Sequence, residues 1–116
     1  MCSFKHAFHG IFEAFNSETN FKIHIIAAIF ALVAGVFFSI HTWEWVAVIG
    51  CIIGVMSLEL MNTGIEKIMD HLHPVQHEKV RQIKDVAAGA VLLCALGSVI
   101  IAAIIFIPKI AAFIFP

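Results

Sequence analysis

The stretch WVAVIGCIIGVMSLELMNTGIEKIMD, residues 45–70, decides the fold of this chain. Its first part, Trp45 to Ile65, is mostly apolar and long enough to cross a bilayer as a helix, which takes about 20 residues. Its second part carries polar residues that share one helix face at about 100° per residue: Glu59, Asn62, Thr63, Glu66 and Asp70. A carboxylate inside such a helix costs about 2.5–3.5 kcal/mol on insertion scales, so Glu59 indicates a functional site rather than a purely structural residue.

The composition indicates an integral membrane protein. Of 116 residues, 61% are hydrophobic and 13% are charged, and a soluble domain of this size could not bury so much apolar surface. Two further apolar runs lie at Ile25–Phe38 and Val86–Ile107. We therefore predict one all-α membrane domain over residues 1–116, with spanning helices at about residues 22–40, 45–68 and 85–107. Pro108 is expected to end or kink the third helix.

A separate amphipathic helix is predicted before the first span, at about residues 4–16. Large apolar side chains recur there at helical spacing and oppose a polar face: Phe4, Phe8, Ile11, Phe12 and Phe15 against Lys5, His9, Glu13 and Asn16. Such a helix suits the membrane interface. The alternative is a helix that packs on the spanning bundle.

The basic residues predict the orientation of the chain. Six of the seven lysines and arginines lie before the first predicted span or between the second and third: Lys5, Lys22, Lys67, Lys79, Arg81 and Lys84. Only Lys109 follows the third span. The link at residues 41–44 has no lysine or arginine, so we expect the N-terminus and the second loop to be cytoplasmic. The net charge of −1 and the absence of a basic run predict no nucleic-acid partner.

The predicted topology brings polar residues from three segments to one membrane surface. Glu59 lies about 21 Å along its helix from Trp45, near the inner edge of the hydrocarbon. Residues just before the first and third spans reach the same level as the end of the second, which gathers Glu18, Glu59, Asn62, Glu66, Lys84 and Asp85. This surface is where a lipid headgroup lies.

The residue types of this cluster favour phosphoryl transfer, which requires charge neutralisation and positioning more than covalent chemistry. Glu18 and Glu66 are hard oxygen ligands that suit Mg²⁺. Lys84, expected at a helix start, suits a phosphate. Glu59 is deep enough to act as a base toward a lipid hydroxyl.

Several alternatives stay open at this point. Asn62 and Thr63 could make only interhelical hydrogen bonds, and Lys84 with Asp85 could be a capping pair. A transition-metal site is possible at histidines of the second loop, His71, His73 and His77, but their spacing lacks a helical register. The cluster could also belong to a small proton-coupled transporter or channel in which Glu59 is the protonatable site, or to a structural subunit.

Four motifs, in this order, resemble a known family. They are Gly10-Ile11, then ETNFKIH at residues 18–24, ELMNTGIE at residues 59–66 with Asp70, and KDVAAGAV at residues 84–91. The third looks like the E-x-x-N-T-A-I-E-x-x-x-D signature of the small prokaryotic integral-membrane lipid kinases, the diacylglycerol kinase and undecaprenol kinase family. The resemblance covers about residues 4–95. Gly64 departs from it, since the family has alanine there.

The resemblance implies three spanning helices and a surface helix, assembled as a homotrimer with shared active sites in the bacterial cytoplasmic membrane. It implies an ATP- and Mg²⁺-dependent kinase that phosphorylates a membrane lipid alcohol. Glu59 would be the catalytic base, with Asn62 positioning groups beside it. Glu18 and Glu66 would bind the metal and ATP, and the nucleotide would also be contacted by His77, Lys84 and Asp85. The ETNFKIH motif favours undecaprenol over diacylglycerol as the lipid.

Overall fold

The computed structural model describes residues 2–72 and 77–116, and all regular structure in these ranges is helical. The helices are α1 (Cys2–Ser17), α2 (Thr19–Phe37), α3 (Thr42–Leu72) and α4 (Glu78–Ile114). α2, α3 and α4 are each long and apolar enough to cross a membrane. The prediction of an all-α membrane protein with three spanning helices is thus confirmed.

α3 and α4 are longer than a bilayer requires. With 31 and 37 residues, they extend about 46 and 55 Å at 1.5 Å per residue, against a hydrocarbon core of about 30 Å. Their excess turns therefore lie outside the hydrocarbon. At the polar end of the bundle, defined as the end that contains the start of α2, the end of α3 and the start of α4, these turns carry most of the charged residues.

α4 departs from its predicted bounds at both ends. It begins at Glu78, where the His77 ring accepts a hydrogen bond from the backbone N–H of Lys79 at 3.1 Å. Lys84 therefore lies in the second turn, so its expected place at a helix start was wrong. The helix also continues through Pro108 to Ile114, so Pro108 does not end it, and the alternative, a kink at Pro108, stays a prediction.

α1 packs against α2 and α3 while it leaves its apolar face open. Ala14 is buried, whereas Phe4, Phe8 and Phe12 are exposed. An exposed apolar face beside a spanning bundle suits the interface of a bilayer. α1 is also joined to α3 by an ion pair between Glu13 and Lys67, at 3.1 Å.

The opposite end of the bundle, here the link end, holds the buried apolar cluster. Ile40, Val48 and Ile105 form its centre. A partly buried ion pair lies beside it, in which Lys109 Nζ donates to the buried carboxylate of Glu44 at 2.7 Å. The backbone N–H of His41 donates to the other carboxylate oxygen of Glu44 at 2.9 Å. The link end is thus fixed by packing and by charge together.

Glycines allow two close approaches between helices. A Cβ on Gly35 would lie 2.7 Å from the ring of Trp45, and one on Gly54 would lie 3.4 Å from Cys94 Sγ. Gly50 and Gly97 face open space, with nothing within 4 Å of such a Cβ. Gly35 is therefore the position where α2 and α3 depend most directly on the absence of a side chain.

We predict that Gly35→Ala destabilises the protein, because the added methyl group must displace a Trp45 ring that packs against the apolar cluster. Overpacking of this kind costs about 1–3 kcal/mol. The measurement is the midpoint of thermal unfolding in detergent, with Gly97→Ala as the matched control. Equal midpoints for the two variants would contradict the close approach of α2 and α3.

A second prediction concerns the buried pair at the link end. Glu44→Gln leaves Lys109, whose side chain is only 25% exposed, without a counter-charge, and a largely buried charge without a partner destabilises the fold. Glu13→Gln is the control, since the side chains of the Glu13–Lys67 pair are 54% and 56% exposed and exposed pairs contribute little. Thermal unfolding should show the larger loss in Glu44→Gln, and the reverse order would refute this role of the pair.

Candidate functional site

The polar face of α3 turns from the protein interior toward water along its length. Glu59, Asn62 and Thr63 are buried, with 4%, 8% and 6% of their surface exposed. Glu66, one turn further, is half-buried, and Asp70 is exposed. The predicted ladder is therefore a gradient, with Glu59 as its innermost acid.

The first residues of α2 supply partners for this face. Glu18 is the N-cap residue of α2 in an extended conformation, and its carboxylate accepts a hydrogen bond from Thr63 Oγ1 at 3.3 Å. Further along α2, His24 Nε2 lies 3.3 Å from Glu59 Oε2. Two side chains of α2 thus contact two successive turns of α3.

His24 was not among the site residues predicted from the sequence. Its signal was an ionisable side chain within the otherwise apolar run that follows Lys22. A residue of this kind in a spanning helix requires a polar partner. Which partner it has depends on the register of α2 against α3, which the sequence alone does not contain.

Negative charge is in excess around Glu66. The carboxylates of Glu18, Glu59 and Asp70 are close enough to repel its charge, and the ammonium group of Lys84 attracts it. Lys84 also forms an ion pair with Asp70, which joins α4 to the end of α3. The structure therefore brings Glu18, Glu59, Glu66 and Lys84 together as predicted, with more carboxylates than cations.

Two other predicted site residues face local partners. Asp85 accepts a hydrogen bond from Arg81 of its own helix at 2.9 Å, and its side chain is 65% exposed. His77 caps α4 through its ring nitrogen. Since His77 and Lys84 are seven residues apart on one helix, they share a face about 10 Å apart.

The donor set at this end fits Mg²⁺. Glu18 and Glu66 offer carboxylate oxygens from two helices, and Mg²⁺ is commonly held by one or two carboxylates together with waters and substrate phosphates. Within the described ranges, no group of three or more His, Cys, Asp or Glu side chains is arranged to hold a metal alone. The possible transition-metal site at His71, His73 and His77 includes His73, which lies outside the described residues.

One buried polar atom of the site has no partner among the residues that the structure describes. Among residues 2–72 and 77–116, Asn62 Oδ1 is buried without a hydrogen-bond donor. Buried polar atoms are almost always paired, and an unpaired one costs about 1–3 kcal/mol. An unpaired acceptor one turn from Glu59 is suited to a ligand that carries an O–H or N–H group.

Two cavities border this cluster from different sides. One, of about 240 Å³, lies between the spanning helices and is lined by apolar side chains such as Ala27, Val55 and Met56, with His24 as a polar residue of its wall. The other, of about 420 Å³, lies between α1 and α3 and includes Gly10 and Thr63 in its lining. The cluster can thus be approached through apolar surroundings on one side and, on the other, through a cavity whose lining combines apolar side chains with the charged Glu13 and Lys67.

Comparisons with known proteins agree on one family. Residues 5–106 match the family model described as prokaryotic diacylglycerol kinase. The chain is 41% identical over 107 residues to undecaprenol kinase of Bacillus subtilis, covering 92% of this chain and 87% of the relative. It is 35% identical over 114 residues to a diacylglycerol kinase of Synechocystis sp. (93% and 62% covered), and 29% identical over 99 residues to that of Haemophilus influenzae (84% of each). The matched region contains the whole polar cluster.

Proposed function

Because the chain belongs to the prokaryotic diacylglycerol kinase family, we propose that it transfers the γ-phosphoryl group of ATP to the hydroxyl of a membrane lipid alcohol. It is a lipid kinase and a multi-pass membrane protein. The details that follow, namely the base, the metal, the nucleotide contacts and the acceptor, are our proposal for how this chain performs that reaction.

The observation that carries the proposal is the position of Glu59. Its carboxylate is buried in a spanning helix between the apolar cavity wall at His24 and the charged cluster around Glu66. In the proposed reaction the lipid oxygen bonds to the γ-phosphorus, the bond from that phosphorus to the bridging oxygen of ADP breaks, and Glu59 takes the hydroxyl proton. A base at this depth can reach the hydroxyl of a lipid held in the membrane, whereas a water-soluble alcohol does not enter to this depth.

Asn62 is proposed to position the acceptor. Its side-chain oxygen is buried and unpaired within the described part of the chain, and it lies one turn beyond Glu59 on the same face. An acceptor at that place can bind the lipid headgroup and orient its hydroxyl toward Glu59. Orientation of two reactants is a large part of what an enzyme contributes to a transfer reaction.

Glu18 and Glu66 are proposed to hold Mg²⁺ with ATP. When bound, the metal would neutralise charge on the phosphates. Lys84 would contact the phosphates, exchanging its ion pair with Asp70 for the nucleotide. Two exposed side chains would also contact the nucleotide: His77, at the start of α4, and Asp85, directly after Lys84. The excess of carboxylates over cations around Glu66 supports a site that is completed by a divalent cation.

The two cavities support separate approaches for the two substrates. The apolar cavity lies within the spanning helices. Its mostly apolar lining suits the hydrocarbon chain of a lipid. The cavity between α1 and α3 borders Thr63, the hydrogen-bond partner of Glu18, and suits the nucleotide. ATP and lipid would then meet at the level of Glu59.

The acceptor is proposed to be undecaprenol rather than diacylglycerol. The supporting observations are the ETNFKIH motif at residues 18–24 and the identity of 41% with an undecaprenol kinase, against 35% with a diacylglycerol kinase. A proton-coupled transporter based on Glu59 would leave Glu18, Glu66 and Lys84 without a role, and the family assignment favours the kinase.

We also propose a homotrimer in the bacterial cytoplasmic membrane, with the polar end of the bundle in the cytoplasm. The distribution of lysine and arginine supports this orientation, and it places the proposed nucleotide site where ATP is available. Large apolar side chains remain exposed on the spanning helices, for example Phe30, Leu93 and Ile104. Exposed faces of this kind suit contact with lipid or with other subunits.

Glu59→Gln should lower kcat about 10²- to 10⁴-fold, the usual contribution of a general base, because the amide cannot take the hydroxyl proton. The measurement is ATP-dependent phosphorylation of undecaprenol and of diacylglycerol, side by side, by purified protein in bilayers. Glu78→Gln, which changes an exposed acid at the start of α4, is the control and should retain activity. Near wild-type turnover of Glu59→Gln would refute the assigned base, and a faster reaction with diacylglycerol would refute the assigned acceptor.

Glu66→Gln should raise the Mg²⁺ concentration required for half-maximal activity, because it removes one of two proposed carboxylate ligands. The measurement is a Mg²⁺ titration at saturating lipid. Glu78→Gln, which changes an exposed acid at the start of α4, is the matched control. An unchanged Mg²⁺ requirement in Glu66→Gln would rule out its metal role.

A further inference from the structure

We propose that His24 is a positioning residue of this kinase, which holds the Glu59 carboxylate in the orientation that accepts the lipid proton. The inference rests on the proposed function, in which Glu59 is the base. It starts from one contact, between His24 Nε2 and Glu59 Oε2 at 3.3 Å. The side chains are 25% and 5% exposed, respectively, so water does little to screen the contact.

The surroundings of Glu59 explain why it depends on this contact. Among the residues that the structure describes, His24 is the one whose side chain lies within ion-pair distance of the Glu59 carboxylate. Glu66, two turns further along α3, is close enough for the two carboxylates to repel each other when both are ionised. A carboxylate that is repelled from one side and free to rotate would sample several orientations. The imidazole restricts it to one.

The position of His24 on α2 links the base to the lipid side of the site. His24 lies about 9 Å along α2 from the N-cap residue Glu18, and it forms part of the wall of the apolar cavity. Lys22, the basic residue closest to His24 in the sequence of α2, is directed elsewhere: its Nζ lies 5.9 Å from the centre of the Phe15 ring. His24 is thus the α2 side chain that contacts the base from the direction of the cavity.

The contact assigns different tasks to the two carboxylate oxygens. Oε2 faces His24, which leaves Oε1 to take the proton of the acceptor hydroxyl. Small displacements of a reacting group are costly, and a misplacement of about 1 Å can reduce a rate about 100-fold. Loss of His24 should therefore lower the rate of the chemical step and leave nucleotide binding unchanged.

The experiment compares His24→Leu with His24→Gln. The leucine variant removes the imidazole nitrogen that contacts Glu59 Oε2 and should lower kcat about 10- to 100-fold, with KM for ATP unchanged. The glutamine variant keeps an N–H group at similar reach and should recover most of the lost kcat. His9→Leu, on the exposed side of α1, is the control for replacement of a histidine and should behave as wild type.

A purely structural role for His24 makes a different prediction. If the side chain only joined α2 to α3, His24→Leu would lower the midpoint of thermal unfolding while the folded fraction kept its wild-type kcat, and this result would overturn the proposal. If the leucine variant does not fold, the glutamine variant decides: recovered stability together with a kcat as low as that of Glu59→Gln would also overturn it.

A spectroscopic measurement tests the contact without activity. In protein labelled with ¹⁵N-histidine, the His24 signal is identified by its loss in His24→Gln. Replacement of the partner by Glu59→Gln should shift that signal, while Glu13→Gln should not. An unchanged His24 signal in Glu59→Gln would overturn the proposal.

The failure of this proposal differs from the failure of the proposed function. If Glu59→Gln keeps wild-type turnover, the base itself is wrongly assigned. If Glu59→Gln is inactive and His24→Leu has a wild-type kcat, the base stands and the positioning role is lost. In the double variant, replacing His24 should cause no further loss of kcat beyond that of Glu59→Gln, since both changes act through one group.

Discussion

The requirement to stabilise an acid inside a membrane-spanning helix governs the arrangement of this chain. Glu59 is among the most buried residues of α3, and hydrocarbon offers it neither water nor counter-ions. His24, at the start of α2, lies against its carboxylate. One turn further along α3, Thr63 donates to Glu18, which is the N-cap residue of α2. The start of α2 is therefore held against α3 by polar contacts, where most membrane helices rely on apolar packing.

α3 carries an acid of this kind at each end of the bundle. Glu44 is buried at the link end, where Lys109 and the backbone of His41 saturate its two oxygens. At the polar end the acids outnumber the cations, and Lys84 is shared between Asp70 and Glu66. The link end is thus electrostatically complete within the described residues, while the polar end retains unbalanced charge. The balanced charges of the link end serve to hold the helices together, whereas the unbalanced charge of the polar end suits the binding of charged ligands.

The sequence was sufficient for features that depend on one helix at a time. Apolar runs predicted the spanning helices, and the spacing from Glu59 to Asp70 predicted one polar face. The start of α4 was missed because residues 78–85 are mostly charged. Charged residues are excluded from the hydrocarbon of the membrane, but they can still form a helix outside it. The role of His24 was missed because its partner lies on another helix. The register of one helix against another is set by the packing between them, and the periodicity of a single segment carries no information about that packing.

The burial of Glu59 also bears on a wasteful side reaction. A kinase that binds ATP beside a base can transfer phosphate to water instead of to its substrate, and water is far more concentrated than any lipid. Here the proposed base, Glu59, lies within a spanning helix and beside an apolar cavity, an environment that hydrocarbon keeps poor in water. Exclusion of water from a reaction centre is a recognised means of preventing such hydrolysis. The same depth that makes the acid costly to insert would thus protect the cell's ATP.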